Sequence, residues 1–441
     1  MMPGSRSSDW LSRGIGISCT VLLTLGCEPE PVLRAQLLLH VETDAPIPER
    51  GLAPEDLTLF DRLRVSVHRG REVLPCAGCT RDFVLDADTE RGALSIGVAV
   101  ASENDVAHVE LYAARNLDRH GNPDVGSSLA AWVRLPKPDD EVRPLHVTLT
   151  MAALGLPRGA LESPIEGSPA APSPALVRWP EAKRTPCTAT PPQGEACVPG
   201  GVVWMGDAVR RPGPAGGLRP RLVKMSPFFL DAREVTVREL RESGLATAEM
   251  LARPDREERQ LCTYSPSPSA ADDLPVTCVP RDVTADYCAA RGKDLPTEAQ
   301  HEYVHGGMRG SLYPWGDDDP SCADAVFGRD RARQLDCNES GVGPRVGGYA
   351  ARDAVEIGGV TVVDLAGNVS EWVREDILSE DAECNRPGYH VDPICSGISG
   401  IAQTRGGSFE EVPLGLRSEI RYPASVPIDD RVGFRCVRRL P

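Results

Sequence analysis

Between Leu37 and Leu149, apolar and polar positions alternate over five short runs: Leu37, Leu39, Val41; Leu63, Val65, Val67; Leu94, Ile96, Val98, Val100; Val109, Leu111, Ala113; and Leu145, Val147, Leu149. A period of two sends successive side chains to opposite faces of a strand. Each run therefore predicts a half-buried strand, and the polar turns between them predict antiparallel pairing in a β-sandwich-like unit over residues 27–152. From Pro157 to Pro180 there is no apolar period, and six prolines are mixed with Ala, Ser and Gly. That composition predicts an extended tether over 153–186, with a second unit over 187–441. In the second unit Thr297 is a predicted N-cap of a helix running to His305 and stopping at Gly306-Gly307, and Val283 to Arg291 predicts another helix, ended by Gly292.

The first residues change the picture of where the chain works. Arg6 and Arg13 precede an uncharged run from Gly14 to Gly26, too short to span a bilayer and patterned like an export signal. Leu23-Thr24-Leu25-Gly26-Cys27 resembles the bacterial lipobox, with its usual leucine displaced by one, and makes Cys27 the expected lipidated N-terminus after removal of residues 1–26. A plain secretory signal cleaved nearby and an uncleaved anchor are the alternatives. Glu28 is not the aspartate that goes with inner-membrane retention, so the expected location is the outer membrane, facing the periplasm or the cell surface. Beyond Cys19 and Cys27 the chain holds twelve cysteines, an even number that in an exported protein reads as a disulfide framework. Most fall into close sequence pairs that predict local staples: Cys76 with Cys79, Cys187 with Cys197, Cys262 with Cys278, Cys322 with Cys337, Cys384 with Cys395. A net charge of −16 repels phosphate backbones and excludes nucleic acid as an expected partner.

The second unit carries an ordered series of motifs: CVPGGVVWMGD from Cys197, PFFLDAREVTVREL from Pro227, DVTADYCAARGKDLPTEAQHEYVHGG from Asp282, YPWGD from Tyr313, VVDLAGNVSEW from Val362, RGGSF from Arg405 and RVGFRCVR from Arg431. In this order they resemble the formylglycine-generating enzyme (sulfatase-modifying factor) family over about 250 residues. The resemblance implies for the second unit a compact mixed domain, poor in regular structure and related to C-type lectins; with the β-sandwich-like unit read from alternation before it, the expected class is α+β. It also implies a long-range disulfide between Cys288 and Cys436.

Catalytic members of that family oxidise a substrate cysteine to formylglycine with two cysteines just after RGGSF that bind copper(I), for which soft thiolates are suited. Carried over from Phe409 without gaps, those positions are Glu411 and Leu416, so the resemblance implies no copper and no catalytic residue here. Ser408 is retained, in a turn that the fold itself requires. The family's calcium site is implied at Asp364 and Glu371 through side chains and at Gly367 and Val369 through carbonyls, a hard oxygen set suited to a flexible cation. The alternative is an Asp and a Glu that cap a metal-free turn. A second family calcium site would involve Asp324 and Asn338.

His301-Glu302-Tyr303-Val304-His305 is literally HExxH, the zinc-hydrolase spacing. Gly306-Gly307 ends that helix at once and no downstream histidine stands at a recognised spacing, so a core helix is the reading preferred here. Asp118, Asn122 and Asp124 read as a polar hairpin loop before a cation site, and His108 and His146 lie in strands without a motif partner. The expected function is a membrane-anchored lipoprotein whose family domain is a non-catalytic, calcium-stabilised binding or assembly module for a protein or glycan ligand. The alternative is an oxidoreductase of the same family using a different metal site.

Overall fold

The computed structural model describes residues 36–90, 94–136, 144–209, 217–245, 261–329, 337, 341–424 and 429–440. Cys27 and the export signal, and Asn338, lie outside the described residues.

The N-terminal unit holds β1 (Gln36–Thr43), β2 (Arg62–His68), β3 (Thr80–Val84), β4 (Ser95–Ala99), β5 (Val106–Tyr112), β6 (Leu129–Arg134), β7 (Pro144–Leu149) and β8 (Ile165–Glu166). They form two sheets, β4-β1-β7 and β3-β2-β5-β6-β8. Leu37, Leu39 and Val41 from the first sheet and Leu63, Val65, Val109 and Leu111 from the second meet in one core, as their alternation demands. All five alternating runs fall on strands. Two departures are instructive. The β1–β7 and β6–β8 pairs are parallel, where antiparallel pairing was expected; alternation reports which face is buried and carries no strand direction. Strands β3 (TRDFV) and β6 (LAAWVR) are missing from the alternating runs, because one is polar and the other relies on alanines.

Residues 153–186, expected as a tether, are paired with the N-terminal unit along part of their length. The prolines keep them extended, but their backbone groups are paired on the N-terminal unit: Ser168 and His146 exchange amide-to-carbonyl bonds of 2.9 and 2.7 Å, and the Trp179 amide donates to the Asp44 carbonyl at 2.7 Å. Arg178 donates to the carbonyls of Ile47 and Leu57, at 2.9 and 2.6 Å. Satisfying these groups on a neighbour is what makes an irregular, half-covered segment stable.

The C-terminal unit contains β9 (Glu195–Val198), β10 (Gly201–Met205), β11 (Arg221–Met225), β12 (Phe228–Asp231), α1 (Val237–Ser243), α2 (Arg281–Ala289) and α3 (Glu298–His305). It continues with β13 (Ala354–Ile357), β14 (Val360–Val363), β15 (Ser370–Asp376), β16 (Tyr389–Val391), β17 (Ala402–Arg405), β18 (Tyr422–Ala424), β19 (Val432–Gly433) and β20 (Val437–Arg439). The strands make small sheets, β10-β11-β16, β20-β12-β9 and β18-β17-β15-β19, with β13-β14 as a hairpin. Helix α3 starts where expected, at a capping box in which Thr297 accepts from the Gln300 amide and Gln300 reaches back to the Thr297 amide. All five local cysteine pairs are bridged, and Cys288 on α2 is bridged to Cys436 beside β20, 148 residues away.

The two units share a core. Trp204 of β10 packs edge-on against Phe60, with ring centroids 5.6 Å apart, and its Nε1 donates to the Leu59 carbonyl at 2.7 Å. Arg115, from the turn after β5, enters the C-terminal unit and donates to the Trp204 carbonyl at 2.9 Å and to the Gly310 carbonyl.

Candidate functional site

The turn that follows β17 sits at the centre of the C-terminal unit. Gly406 and Gly407 have φ of 93° and 77°, and a Cβ on them would lie 2.9 and 2.8 Å from the carbonyl oxygens of Leu365 and Gly415. Only glycine fits both constraints. The turn docks on the loop before β15: the Gly367 amide donates to Gly406 at 3.0 Å and the Phe409 amide to Asn368 at 2.8 Å. RGGSF and AGNVSEW are thus the two halves of one folded joint.

Ser408 is buried, and its Oγ accepts from the Glu410 amide at 3.3 Å. The Glu411 backbone closes the turn, its amide donating to Ser408 at 3.0 Å and its carbonyl accepting from Gly328 at 2.9 Å. Leu416 ends a short 3-10 turn and is fully buried with Tyr313, Ala325, Phe327 and Ala366. The two positions therefore differ: Glu411 is half-buried at the rim, and Leu416 is part of the packed interior. Cavities lie away from this joint, among them one of about 630 Å³ between the units beside Pro54, Arg184 and Cys187, and one of about 430 Å³ beside Ser226, Asp294 and Arg438.

The HExxH side chains are absorbed by an ion-pair network. Glu302 Oε1 accepts from the Gly206 amide at 2.7 Å, and Oε2 pairs with Arg405. Glu298, one turn earlier, pairs with Arg421 at 3.0 Å and lies 3.7 Å from Arg405. Two arginines thus meet two glutamates, all four buried. His305 Nε2 is 2.9 Å from the Leu416 carbonyl, and His301 Nε2 is 3.4 Å from Glu371. Burial lowers the pKa of both imidazoles, so they are neutral at pH 7. Their ring centroids lie 5.7 Å apart, tilted by 55°, and among the described residues no group of three His, Cys, Asp or Glu side chains could hold a metal. The HExxH spacing is present without a third ligand among the described residues.

The residues expected to bind calcium lie one joint away. Glu371 accepts from Arg435 Nε at 2.7 and 2.9 Å, and its Oε1 lies 2.7 Å from Arg435 Nη2. Arg435 also donates to the carbonyls of Val363 and Asp364, at 2.8 and 2.7 Å. Asp364 has φ of 56°; its Oδ2 accepts from the Gly348 amide at 2.7 Å, and its Oδ1 is buried without a partner. Two further buried carboxyls complete the cluster. Asp353 accepts from the amides of Leu365 and Ala366, each at 3.0 Å. Glu234 accepts from Asn368 Nδ2 at 2.6 Å and from the Val369 amide at 3.1 Å. Burial and then mutual repulsion push Asp353 up to about 8, while burial, with Glu371 nearby, takes Asp364 to about 6. Glu234 is held well above the usual range by burial and the charges of Asp364 and Glu371. Glu371 alone is lowered: burial opposes ionisation there, but Arg435 and then His301 prevail. Four carboxyls therefore face one guanidinium.

Sequence reading missed Arg435, Glu234 and Asp353. Arg435 and Glu234 stand inside motifs already singled out, RVGFRC and LDAREVT, whereas Asp353 had no local signal. Of the second expected calcium site only Asp324 is described: it accepts from Ser321 at 2.8 Å and lies 3.4 Å from Arg352. In the loop expected to be a polar hairpin, Asp118 Oδ1 accepts from the amides of His120 and Asn122, each at 2.8 Å. His108 stacks on Trp132 at 4.0 Å, and His146 pairs with Glu42 at 3.1 Å.

Comparison with known proteins sets this geometry in context. Residues 181–440 match the family described as the sulfatase-modifying factor enzyme 1-like domain. The "Inactive C-alpha-formylglycine-generating enzyme 2" of Bos taurus is 28% identical over 167 residues, 37% of this chain and 50% of that protein. The "Formylglycine-generating enzyme" of Streptomyces coelicolor is 28% identical over 279 residues, 54% of this chain and 85% of that one. The chain spans about half the length of the first curated relatives it matches. Among solved structures, PvdO from Pseudomonas aeruginosa aligns with 58% of this chain and 99% of its own, at 22% identity and a TM-score of 0.42.

Proposed function

Starting from the sulfatase-modifying factor enzyme 1-like family, to which the chain belongs over residues 181–440, we propose that this domain is a non-catalytic binding or assembly module carried by a membrane lipoprotein. The observation that carries the reading is the fate of the two copper positions. Leu416 is interior packing and Glu411 is a carboxylate at the rim, so no pair of thiolates is available for copper(I) there. Relatives named as inactive formylglycine-generating enzymes support it. The lectin-related character of the domain and the sandwich-like character of the N-terminal unit belong to the same proposal, as does a protein or glycan ligand. The test is direct: the full chain, reconstituted with copper(I), is incubated with a cysteine peptide of the sulfatase type and oxygen. No aldehyde, read as a hydrazide mass shift, is the expected result; stoichiometric conversion overturns the reading.

Calcium is the cation we assign to the loop at Asp364: among the described residues no three carboxyls converge on one point, so backbone carbonyls would have to complete the site. The orphaned, buried Asp364 Oδ1 fits it, as does the excess of carboxyls over guanidinium. Asp364 and the carbonyls of Gly367 and Val369 would hold the ion, with Glu371 contributing the lone pairs that Arg435 leaves open. When bound, calcium supplies positive charge that offsets the repulsion among buried carboxylates. Titration of the chelator-treated chain with calcium should raise its thermal midpoint, and the rise should vanish in Asp364→Ala.

Anchoring through Cys27 in the outer membrane, facing the periplasm or the cell surface, completes the proposal and rests on the lipobox-like segment. Mass spectrometry of the N-terminal peptide tests it: diacylglyceryl-modified Cys27 is expected, and an unmodified N-terminus contradicts it.

A further inference from the structure

The strands of the N-terminal unit run between two poles. One abuts the C-terminal unit: Leu59 and Phe60 before β2 and Arg115 after β5 all touch it there. The other lies a strand's length away, about 20 Å for the seven residues of β2. The chain enters at this far pole. Gln36, at the start of β1, pairs with Ala99 at the end of β4. The Ala101 amide donates to Asp105 at 2.7 Å, and Asp105 pairs with Arg69, which follows β2. The loop Arg69–Cys79 therefore starts beside the point where the described chain begins.

That loop presents apolar side chains to solvent on a braced frame. Val73 and Leu74 are adjacent and each is 77% exposed. Arg71 and Glu72 before them are exposed as well. The bridge between Cys76 and Cys79 closes the base, the amides of Cys76 and Val67 donate to Val67 and Cys79 at 2.9 and 3.1 Å, and the Glu72 amide donates to Arg69 at 3.1 Å. The His68 ring lies 3.2 Å from the Glu72 carbonyl. A fixed, exposed Val-Leu tip is costly in water and gains by entering an apolar phase.

We propose that this loop is a second membrane contact, seating Val73 and Leu74 at the headgroup–acyl boundary beside the lipid on Cys27. The proposal rests on the lipoprotein reading. Eight residues separate Cys27 from Gln36, and even fully extended they reach only about 30 Å. A lipid inserted at Cys27 thus keeps the start of β1 within about 30 Å of the bilayer, and this loop lies at that end of the unit. Arg71 suits anionic headgroups, and since the two acyl chains of a diacylglyceryl cysteine already anchor the chain, the contact of this loop adds residence time and fixes orientation. The consequence is orientation: the N-terminal unit stands on the membrane and carries the C-terminal unit on its distal end.

The experiment uses the acylated full chain on vesicles of phosphatidylethanolamine and phosphatidylglycerol. Release is followed by transfer to acceptor vesicles, with the N-terminal mass recorded on the same preparation. Val73→Asp with Leu74→Asp should speed release by roughly tenfold or more at an unchanged thermal midpoint, and Leu74→Trp should slow it. Release at the wild-type rate in both variants overturns the proposal. If the N-terminus is not acylated, the lipoprotein reading fails separately. The loop is then judged by hydrogen exchange of residues 71–75: protection on adding vesicles supports a membrane contact, and its absence overturns it. Protection that rises with protein concentration without vesicles also overturns it, in favour of contact between copies of the chain.

Discussion

Two buried charge clusters lie on either side of the RGGSF joint, and they are built to opposite plans. Around α3, Glu298 and Glu302 meet Arg405 and Arg421, and each of these four has a counter-charge within 4 Å. Around β15, Glu234, Asp353, Asp364 and Glu371 share Arg435 alone, and three of the four carboxyls have raised pKa values. In the first cluster the four charges are paired with one another, and Glu302 of the HExxH segment is one of them. The second needs protons or a cation. The lesson concerns motif reading: residue types at the right spacing are common to both clusters, and the balance of charge separates a scaffold from a site.

The largest effect should come from breaking the balanced cluster. Glu302→Ala leaves Arg405 and the Gly206 amide without their carboxylate in the interior, so a loss of about 3–5 kcal/mol in chemical denaturation is expected. A loss under about 1 kcal/mol would mean that the network is not the scaffold described. Next in size is Leu416→Ala, which opens a cavity among Tyr313, Phe327 and Ala366 and should cost about 2–5 kcal/mol. If Leu416 instead lined an open substrate groove, the same change would cost little.

The third prediction uses pH. Glu375 on β15 is pushed up to about 7 from 4.5, first by burial and then by Glu298 beside it. The folded chain therefore keeps a proton that the unfolded chain releases, so this group's stabilising share is full below pH 4.5 and is lost as pH rises toward 7. The loss amounts to at most about 3 kcal/mol. Glu375→Gln should remove that part of the slope; an unchanged slope between wild type and variant would refute the assignment. The smallest effect is expected in the unbalanced cluster. In chelator, Asp364→Asn relieves repulsion without removing an acceptor for the Gly348 amide, so stability should hold or rise by about 1 kcal/mol. A loss like that of Glu302→Ala would erase the distinction between the clusters.

Much of this architecture was legible in the chain. Alternation found the core strands of the N-terminal unit because only one face of each is buried, and it was blind to β3 and β6, whose packing uses polar or small residues. Spacing gave the local disulfides, and the family resemblance gave Cys288–Cys436, whereas the docking of RGGSF on AGNVSEW emerged only from the fold. The docking of residues 157–186 was not legible, since proline-rich composition reports an extended backbone and not whether its hydrogen-bonding groups find partners. The arginine on Glu371 was also hidden: Arg435 is 64 residues away in sequence, and only the parallel pairing of β15 with β19 brings it alongside. Charge balance is a property of three-dimensional neighbourhoods, and for that reason it separated the two clusters only once the fold was in hand.

The most direct test of the account is metal analysis of the full chain, expressed with export so that its disulfides form and purified without chelator. The account predicts about one calcium per chain, lost in Asp364→Ala, with copper, zinc and iron far below stoichiometry. A chain free of calcium that also gains no stability when calcium is added, or one that carries stoichiometric copper, iron or zinc, would contradict it.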